Sequence, residues 1–334
     1  MRYGTIAIIG RTNVGKSTFL NSALGMPLAI VSRLPQTTRD ALLGVVNSGD
    51  AQLAFVDTPG LHRPHNELGR RMNQEATDSL RSAHVAVFMT DIYQSPPGRS
   101  GPSDAAQTAG TAPPPRENDK SPAAKPSARA RAADERSDLE LLELIPPKLP
   151  VVMVINKIDR LHDKTKLLPL LQSWSDQRSF AAVVPISAKL GDGVDRVLSE
   201  LVQLLPEGES RFGPDEITDR PVAFFAREYI REQVLGTASR EVPHAVAVTL
   251  DSIEERSNGM HVAATLHVEK VGQRSILVGK GGEKIKEIGS AARQRISELT
   301  GQPVHLKLFV RVTERWRNVP RQLAELGYTP GPER

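Results

Sequence analysis

The chain has 334 residues, 39% of them hydrophobic, a length that supports two ordinary cores and hardly a third. Cysteine is absent, which excludes a disulfide framework and a thiolate metal site and carries no marker of an oxidising compartment. The net charge is only +4, yet Lys270 to Arg321 holds 12 Lys/Arg against 4 Glu, leaving 31 against 35 elsewhere. Basic character segregated in this way points to a polyanionic partner for the C-terminal part.

Thr5 to Ile9 reads as a short buried strand, and its closeness to Met1 leaves no room for a signal peptide. No apolar run nears the roughly 18 residues that span a bilayer, so a cytoplasmic protein is expected. Gly10 to Ser17, G-R-T-N-V-G-K-S, follows the strand and opens a helix to Leu24. This is the context that the phosphate-binding pattern of glycine, four residues and Gly-Lys-Ser requires. Gly10 and Gly15 let the backbone curl around a polyphosphate at the positive end of the helix dipole, with Arg11, Thr12, Asn13, Val14 and Thr18 completing the cradle. Lys16 is placed to reach the β- and γ-phosphates and Ser17 to ligate Mg²⁺.

Ser32 to Asp40 is polar and without period, a loop. Strands are predicted at Ala41 to Ser48 and Ala51 to Val56, the second ending in Asp57-Thr58-Pro59-Gly60. An Asp-x-Pro-Gly turn is one reading of these four residues. The other puts Asp57 on Mg²⁺ through water and the Gly60 N–H on the γ-phosphate. Asn66 to Ser82 reads as a helix and Val85 to Thr90 as a buried strand. From Ser95 to Ser137 there is no Ile, Leu, Val, Phe, Met, Tyr or Trp. Such a stretch cannot offset its ordering entropy by burial and is expected to be a disordered insertion, 95–137, dispensable for nucleotide affinity.

Asp138 to Ile145 is a short helix and Val151 to Ile155 a fully buried strand, opening into Asn156-Lys157-Ile158-Asp159. A carboxylate at Asp159 can accept from the N1–H and exocyclic amino group of guanine; adenine lacks both donors at those places. Val183 to Ile186 is the sixth strand, and Ser187-Ala188-Lys189 after it can contact the guanine ring from the far side. A helix from Val194 to Leu204 closes a first domain, 1–206.

Residues 207–220 are polar, with Gly and Pro, and read as a linker. Pro221 to Leu235 has helical spacing, and Ala245 to Ile253 and His261 to Val271 alternate as paired strands joined at Asn258-Gly259. Gly279-Lys280-Gly281-Gly282 then leads into a helix over Glu283 to Leu299 and a last strand over Val304 to Val312. Two readings of Gly-x-x-Gly stand side by side: a helix-entry turn, and the clamp by which KH modules hold a single-stranded nucleic-acid backbone. Lys280, Lys284, Lys286, Arg293 and Arg295 favour the second. Trp316, between Arg315 and Arg317, either stacks on a base or closes a core.

Together these residues resemble the Era GTPases, ribosome-assembly proteins with a Ras-like GTPase domain and a C-terminal type II KH domain. The resemblance rests on Gly10 to Ser17, Thr37-Thr38-Arg39, Asp57 to Gly60, Asn156 to Asp159 and Ser187 to Lys189 in order, then on V-G-K-G-G-E-K-I-K. It implies an α/β P-loop domain with a mostly parallel sheet and helices on both faces, an α+β KH domain at 221–320 and a C-terminal tail at 321–334. It makes Ser275 to Val278 part of a helix before the clamp, and places Thr38 where the first switch completes Mg²⁺ coordination. Implied ligands are GTP or GDP with Mg²⁺; the implied partners are the three-prime end of small-subunit ribosomal RNA and the small subunit itself, met by a monomer. Leu61 stands where Ras proteins carry a water-positioning glutamine, so slow intrinsic turnover is expected from Lys16, Thr38 and Asn13. Asn13 matches an asparagine that helps hold potassium in related GTPases, and Thr12 replaces the family's usual proline.

Overall fold

A computed structural model describes residues 1–32, 34–94, 137–237 and 242–328. The first half is built on a six-stranded sheet of order β2-β3-β1-β4-β5-β6. Its strands are β1 Arg2–Gly10, β2 Leu42–Ser48, β3 Ala51–Asp57, β4 Val85–Asp91, β5 Val151–Asn156 and β6 Ala182–Pro185. Only β2 runs antiparallel, against β3. Hydrophobic runs such as V-V-M-V-I-N are buried on both sides because helices cover both faces of the sheet. Helices α1 Lys16–Leu24 and α5 Val194–Leu204 close one face, through Phe19, Leu20, Val197 and Leu201 against Ile6, Ile8 and Phe55. Helices α2 Glu67–Ser82, α3 Asp138–Glu143 and α4 Leu167–Ser175 close the other, with Trp174 near Phe88. Parallel strands bring Gly10, Asp57, Asp91 and Asn156 to one edge of the sheet, where open α/β proteins bind ligands.

The second half follows the order α6 Val222–Thr237, β7 Ala247–Arg256, β8 Gly259–Val268, α7 Val271–Val278, α8 Glu283–Thr300 and β9 Val304–Val312. The sheet runs β7-β8-β9, antiparallel then parallel, and the helices pack on one of its faces. Ser275 to Val278 is thus helical.

Four places depart from the sequence reading. Helix α4 had no counterpart there; its Pro169 sits in the first turn, where a backbone N–H is not needed. The 207–220 segment is no loose linker. Gln52 takes the N–H groups of Arg211 and Phe212, Val45 donates to the Ile217 carbonyl at 2.8 Å and Thr218 to that of Leu43 at 2.7 Å. The stretch expected to be a tail from 321 begins inside helix α9, Pro320–Glu325, and is packed as far as Tyr328. Of the expected insertion, 95–136 lies outside the described residues, whereas Ser137 is the N-cap of α3, in a capping box with Glu140.

The two halves meet over the loop before β2. Leu28, Ala29 and Ile30 share a core with Phe225, Tyr229 and Ile230 of α6. Leu68 and Met72 of α2 pack with Trp316, Leu323, Leu326 and Tyr328. Trp316 is fully buried, donates its indole N–H to the Ala245 carbonyl at 2.9 Å and stacks on Tyr328. Of its two readings, the structure takes the core.

Candidate functional site

The Gly10 to Ser17 loop turns into α1 at Gly15, whose φ of 105° lies in the left-handed region. A Cβ there would come within 2.3 Å of the Asn156 Nδ2. That contact is the centre of a staple: Nδ2 donates to the Val14 carbonyl at 2.8 Å, while Oδ1 accepts from the N–H groups of Lys157 and Ala188. One buried side chain therefore ties the phosphate loop, the Asn156 to Asp159 turn and the Ser187 to Lys189 turn together. Lys157 adds a second tie, donating to the Asn13 carbonyl at 2.8 Å and pairing with Asp91 at 2.6 Å. Ser187 donates to Asp159 Oδ1 at 2.7 Å, leaving this exposed carboxylate at the rim, with Lys189 exposed beside it. Arg11 reaches Gln94 at 2.7 Å, and the backbone of Thr12 abuts Gly60, where an added Cβ would meet the Thr12 Cγ2 at 2.9 Å. Thr18 is half-buried in the first turn of α1.

Lys16 is buried and curls back onto the carbonyls of Gly10 and Arg11, at 3.1 and 2.9 Å. Three oxygens converge beyond it. Ser17 Oγ lies 2.7 Å from Asp57 Oδ2, and Thr38 Oγ1 lies 3.1 Å from both. Asp57 is fully buried and its Oδ1 has no hydrogen-bond partner. Burial raises its pKa, opposed by Lys16 and by the Ser17 and Thr38 hydroxyls. An all-oxygen set around an unsatisfied carboxylate suits a hard divalent cation, so these residues fit Mg²⁺. Leu61 is 3% exposed and packed in the core beneath α2, so its side chain faces away from water.

The loop that delivers Thr38 does not stop at the nucleotide edge. Arg231 of α6 holds the Thr37 carbonyl and the Glu228 carboxylate. Arg39, 3% exposed, donates to the Val246 carbonyl at 2.6 Å and to Tyr328 Oη at 3.2 Å, and lies over the Trp316 ring. Asp40 pairs with Arg227 at 2.6 Å. Burial works to raise the Glu228 pKa, but Arg231, Arg227 and Arg39 overcome it and hold the carboxyl below its usual range. Sequence reasoning missed these α6 partners, whose charges lay in a helix read only for its apolar spacing.

In the second half, Gly279 has φ 74° and a Cβ there would meet that of Lys284 at 2.7 Å; Lys280 to Gly282 form one tight turn, with Gly281 and Gly282 also left-handed. The turn opens α8. Lys280 is exposed at its tip and Lys284 half-buried at the helix start. Lys286 and Arg293, on α8, border a cavity of about 270 Å³ whose other wall is Leu306 and Leu308 of β9. Arg295 faces elsewhere, to Glu232 and the Pro27 carbonyl at the boundary between the halves.

This is a P-loop GTP-hydrolase fold joined to a KH module. Residues 5–157 match the family described as 50S ribosome-binding GTPase, and 241–317 match the KH domain family. GTPase Era of Lactobacillus delbrueckii subsp. bulgaricus is 38% identical over 97% of this chain and 95% of its own length. That of Xanthomonas oryzae pv. oryzae is 38% identical over 98% and 97%. The chain belongs to the Era GTPase family. Among solved structures, an Aquifex aeolicus Era variant bound to GDP and aluminium fluoride superposes with a TM-score of 0.82 at 32% identity, covering 98% of this chain and all of that one. An Era complex with MgGDPNP and nucleotides 1506–1542 of 16S ribosomal RNA matches equally well, over 99% of its length. Among the described residues no helix is long and apolar enough to cross a membrane.

Proposed function

We propose that this chain is a GTP-hydrolysing switch whose KH half, within 221–320, holds the three-prime end of small-subunit ribosomal RNA and assists small-subunit assembly and rRNA maturation. It works as a cytoplasmic monomer, with 1–206 as its nucleotide domain. The observation that carries the reading is the Thr37 to Asp40 stretch, which gives one hydroxyl to the Ser17–Asp57 cluster and a buried guanidinium to the second half. A loop ordered at one end by nucleotide is thereby felt at the other. Asp159 selects guanine, Lys16 neutralises the β- and γ-phosphates, and Ser17, Thr38 and Asp57 hold the metal. Bound Mg²⁺ supplies positive charge against the developing negative charge of phosphoryl transfer. Gly279 to Gly282 admit an RNA backbone closely, with Lys280, Lys284, Lys286 and Arg293 on its phosphates.

Leu61, buried in the core, supports a second reading, in which the pocket senses GTP or GDP and hydrolysis is incidental. Single-turnover hydrolysis with and without an RNA ending at the small-subunit three-prime terminus separates the two. Stimulation by RNA is the expected result; indifference selects the sensor.

A further inference from the structure

The cavity between α8 and β9 uses one face of β9, through Leu306 and Leu308. On the opposite face, helix α9 and Trp316 pack at the end where Ala247 stands in one row with His267 and Arg311; among the described residues the rest of that face is uncovered along β9. Along β9, Leu306, Leu308, Val310 and Val312 pack toward the core, whereas His305, Lys307, Phe309 and Arg311 all stand exposed. Phe309 is 56% exposed. Strand geometry places Lys307 and Arg311 about 7 Å to either side of it, on its own face.

The register supplies a floor. Ala263 lies opposite Lys307 and Thr265 opposite Phe309 on β8; Ser252 and Thr249 continue the two rows onto β7. All four are small, so the tall side chains of β9 overlook a shallow trough. His261 and His305 close one end as a stacked pair, ring centroids 4.5 Å apart. Burial, then the positive neighbours Arg256 and His305, depresses the His261 pKa, so that ring offers a neutral surface at neutral pH. The acids Asp251 and Glu254 on this side are engaged: Asp251 accepts from Thr265 at 2.8 Å and Glu254 from Arg256 at 2.6 Å, while Glu269, just past β8, pairs with Arg317 at 2.5 Å. Lys307 and Arg311 form no ion pair among the described residues.

We infer that this open sheet face is a second, single-stranded RNA platform, on which Phe309 stacks a base and Lys307 and Arg311 take the flanking phosphates. The inference rests on the RNA-binding reading of the KH half. An aromatic ring standing on an open sheet, flanked by cations, fits an unstacked base and a polyanionic backbone. A duplex has no free base face to offer it. A protein partner calls for several apolar anchors in a desolvated patch; here a single ring stands among cations and small residues. The two RNA surfaces are the two faces of one edge strand, so a strand leaving the α8–β9 cavity reaches Phe309 by crossing the edge of β9.

The test uses the full chain and two fluorescein-labelled RNAs ending at the small-subunit three-prime terminus, one of 5 nucleotides, about what a KH clamp holds, and one of 15. Phe309→Ala is expected to weaken the 15-mer about tenfold while leaving the 5-mer unchanged. Lys307→Ala with Arg311→Ala should lower the salt slope of the 15-mer by about 1.4, near 0.7 for each lost phosphate contact. These side chains are exposed, and an unchanged thermal midpoint shows that the variants fold. Unaltered 15-mer binding in both variants overturns the platform and leaves the face to a protein partner. A duplex of the same 15 nucleotides that binds as tightly as the single strand overturns it as well. A wild-type chain that binds neither RNA refutes the RNA reading of the KH half itself, a failure distinct from that of Phe309.

Discussion

Glu75, on α2, offers a test of how the switch loop is held. Its carboxylate accepts the Ala41 N–H at 2.9 Å, next to Asp40 and at the end of the loop that carries Thr38. Burial, reinforced by the like charge of Asp40, pushes its pKa from 4.5 up to about 7; the Ala41 N–H and Arg220 oppose the shift. The sign follows from proton counts. Below about pH 4.5 the group is protonated in both the folded and the unfolded chain; between 4.5 and 7 only the folded chain keeps its proton, so stability falls as pH rises through this window. A shift of that size corresponds to about 3 kcal/mol. Glu75→Gln removes the titration and keeps an oxygen for Ala41. Urea unfolding of both proteins, followed through Trp174 in one half and Trp316 in the other, should give similar stabilities near pH 4.5. Above about pH 8 the variant should be the more stable by about 2 to 3 kcal/mol. An offset that stays constant across this range would refute the argument.

Three further outcomes follow from the nucleotide edge. Asp159→Asn should cost about 100-fold in GDP affinity, since one of two acceptors becomes a donor, and should recover binding with xanthosine diphosphate, whose ring has a carbonyl at that place; unchanged GDP titration by fluorescence counts against the guanine assignment. Ser17→Ala should make GDP affinity nearly the same with Mg²⁺ as with a chelator, because an oxygen of the Ser17–Thr38–Asp57 set is gone. A preserved Mg²⁺ increment would mean that the metal is held elsewhere. Turnover should be faster in K⁺ than in Na⁺ buffer, and Asn13→Ala should abolish the difference; equal rates for the wild-type chain sink the potassium idea.

Much of the first half was legible because parallel strands buried on both sides are written as short continuous apolar runs, and because each loop motif follows such a run. The phosphate loop and the Asn156 to Asp159 turn could be set in order without knowing that Asn156 bridges them. What escaped depended on distant partners. Trp316 sits between two arginines whether it meets a base or a core, and only the Ala245 carbonyl, 71 residues away, decides the matter. Helix α4 was hidden by a proline that the first turn tolerates. Helix α9 had its signals, Pro320 at the start and Gly327 after the end, but lies in a short polar stretch that reads as a terminus. The charges of α6 were visible as letters; that they reach into the switch loop was not.

The strap at 207–219 has a mechanical consequence. It is fastened across three strands of the first sheet, from the bridge of Glu207 with Arg2 of β1, past Gln52 of β3, to the Thr218 hydrogen bond with Leu43 of β2, and Arg220 is in turn bonded to the Ala41 carbonyl at 2.7 Å. Little slack remains before α6 begins at Val222, and Pro221 has its φ fixed by its ring. Two residues of chain reach about 7 Å. The short connection therefore keeps the RNA-facing half beside the switch loop, where the shared core of Leu28 to Ile30 with α6 already seats it. On the switch reading proposed above, a release of the Arg39 and Arg231 contacts would leave the same surfaces within immediate reach of one another.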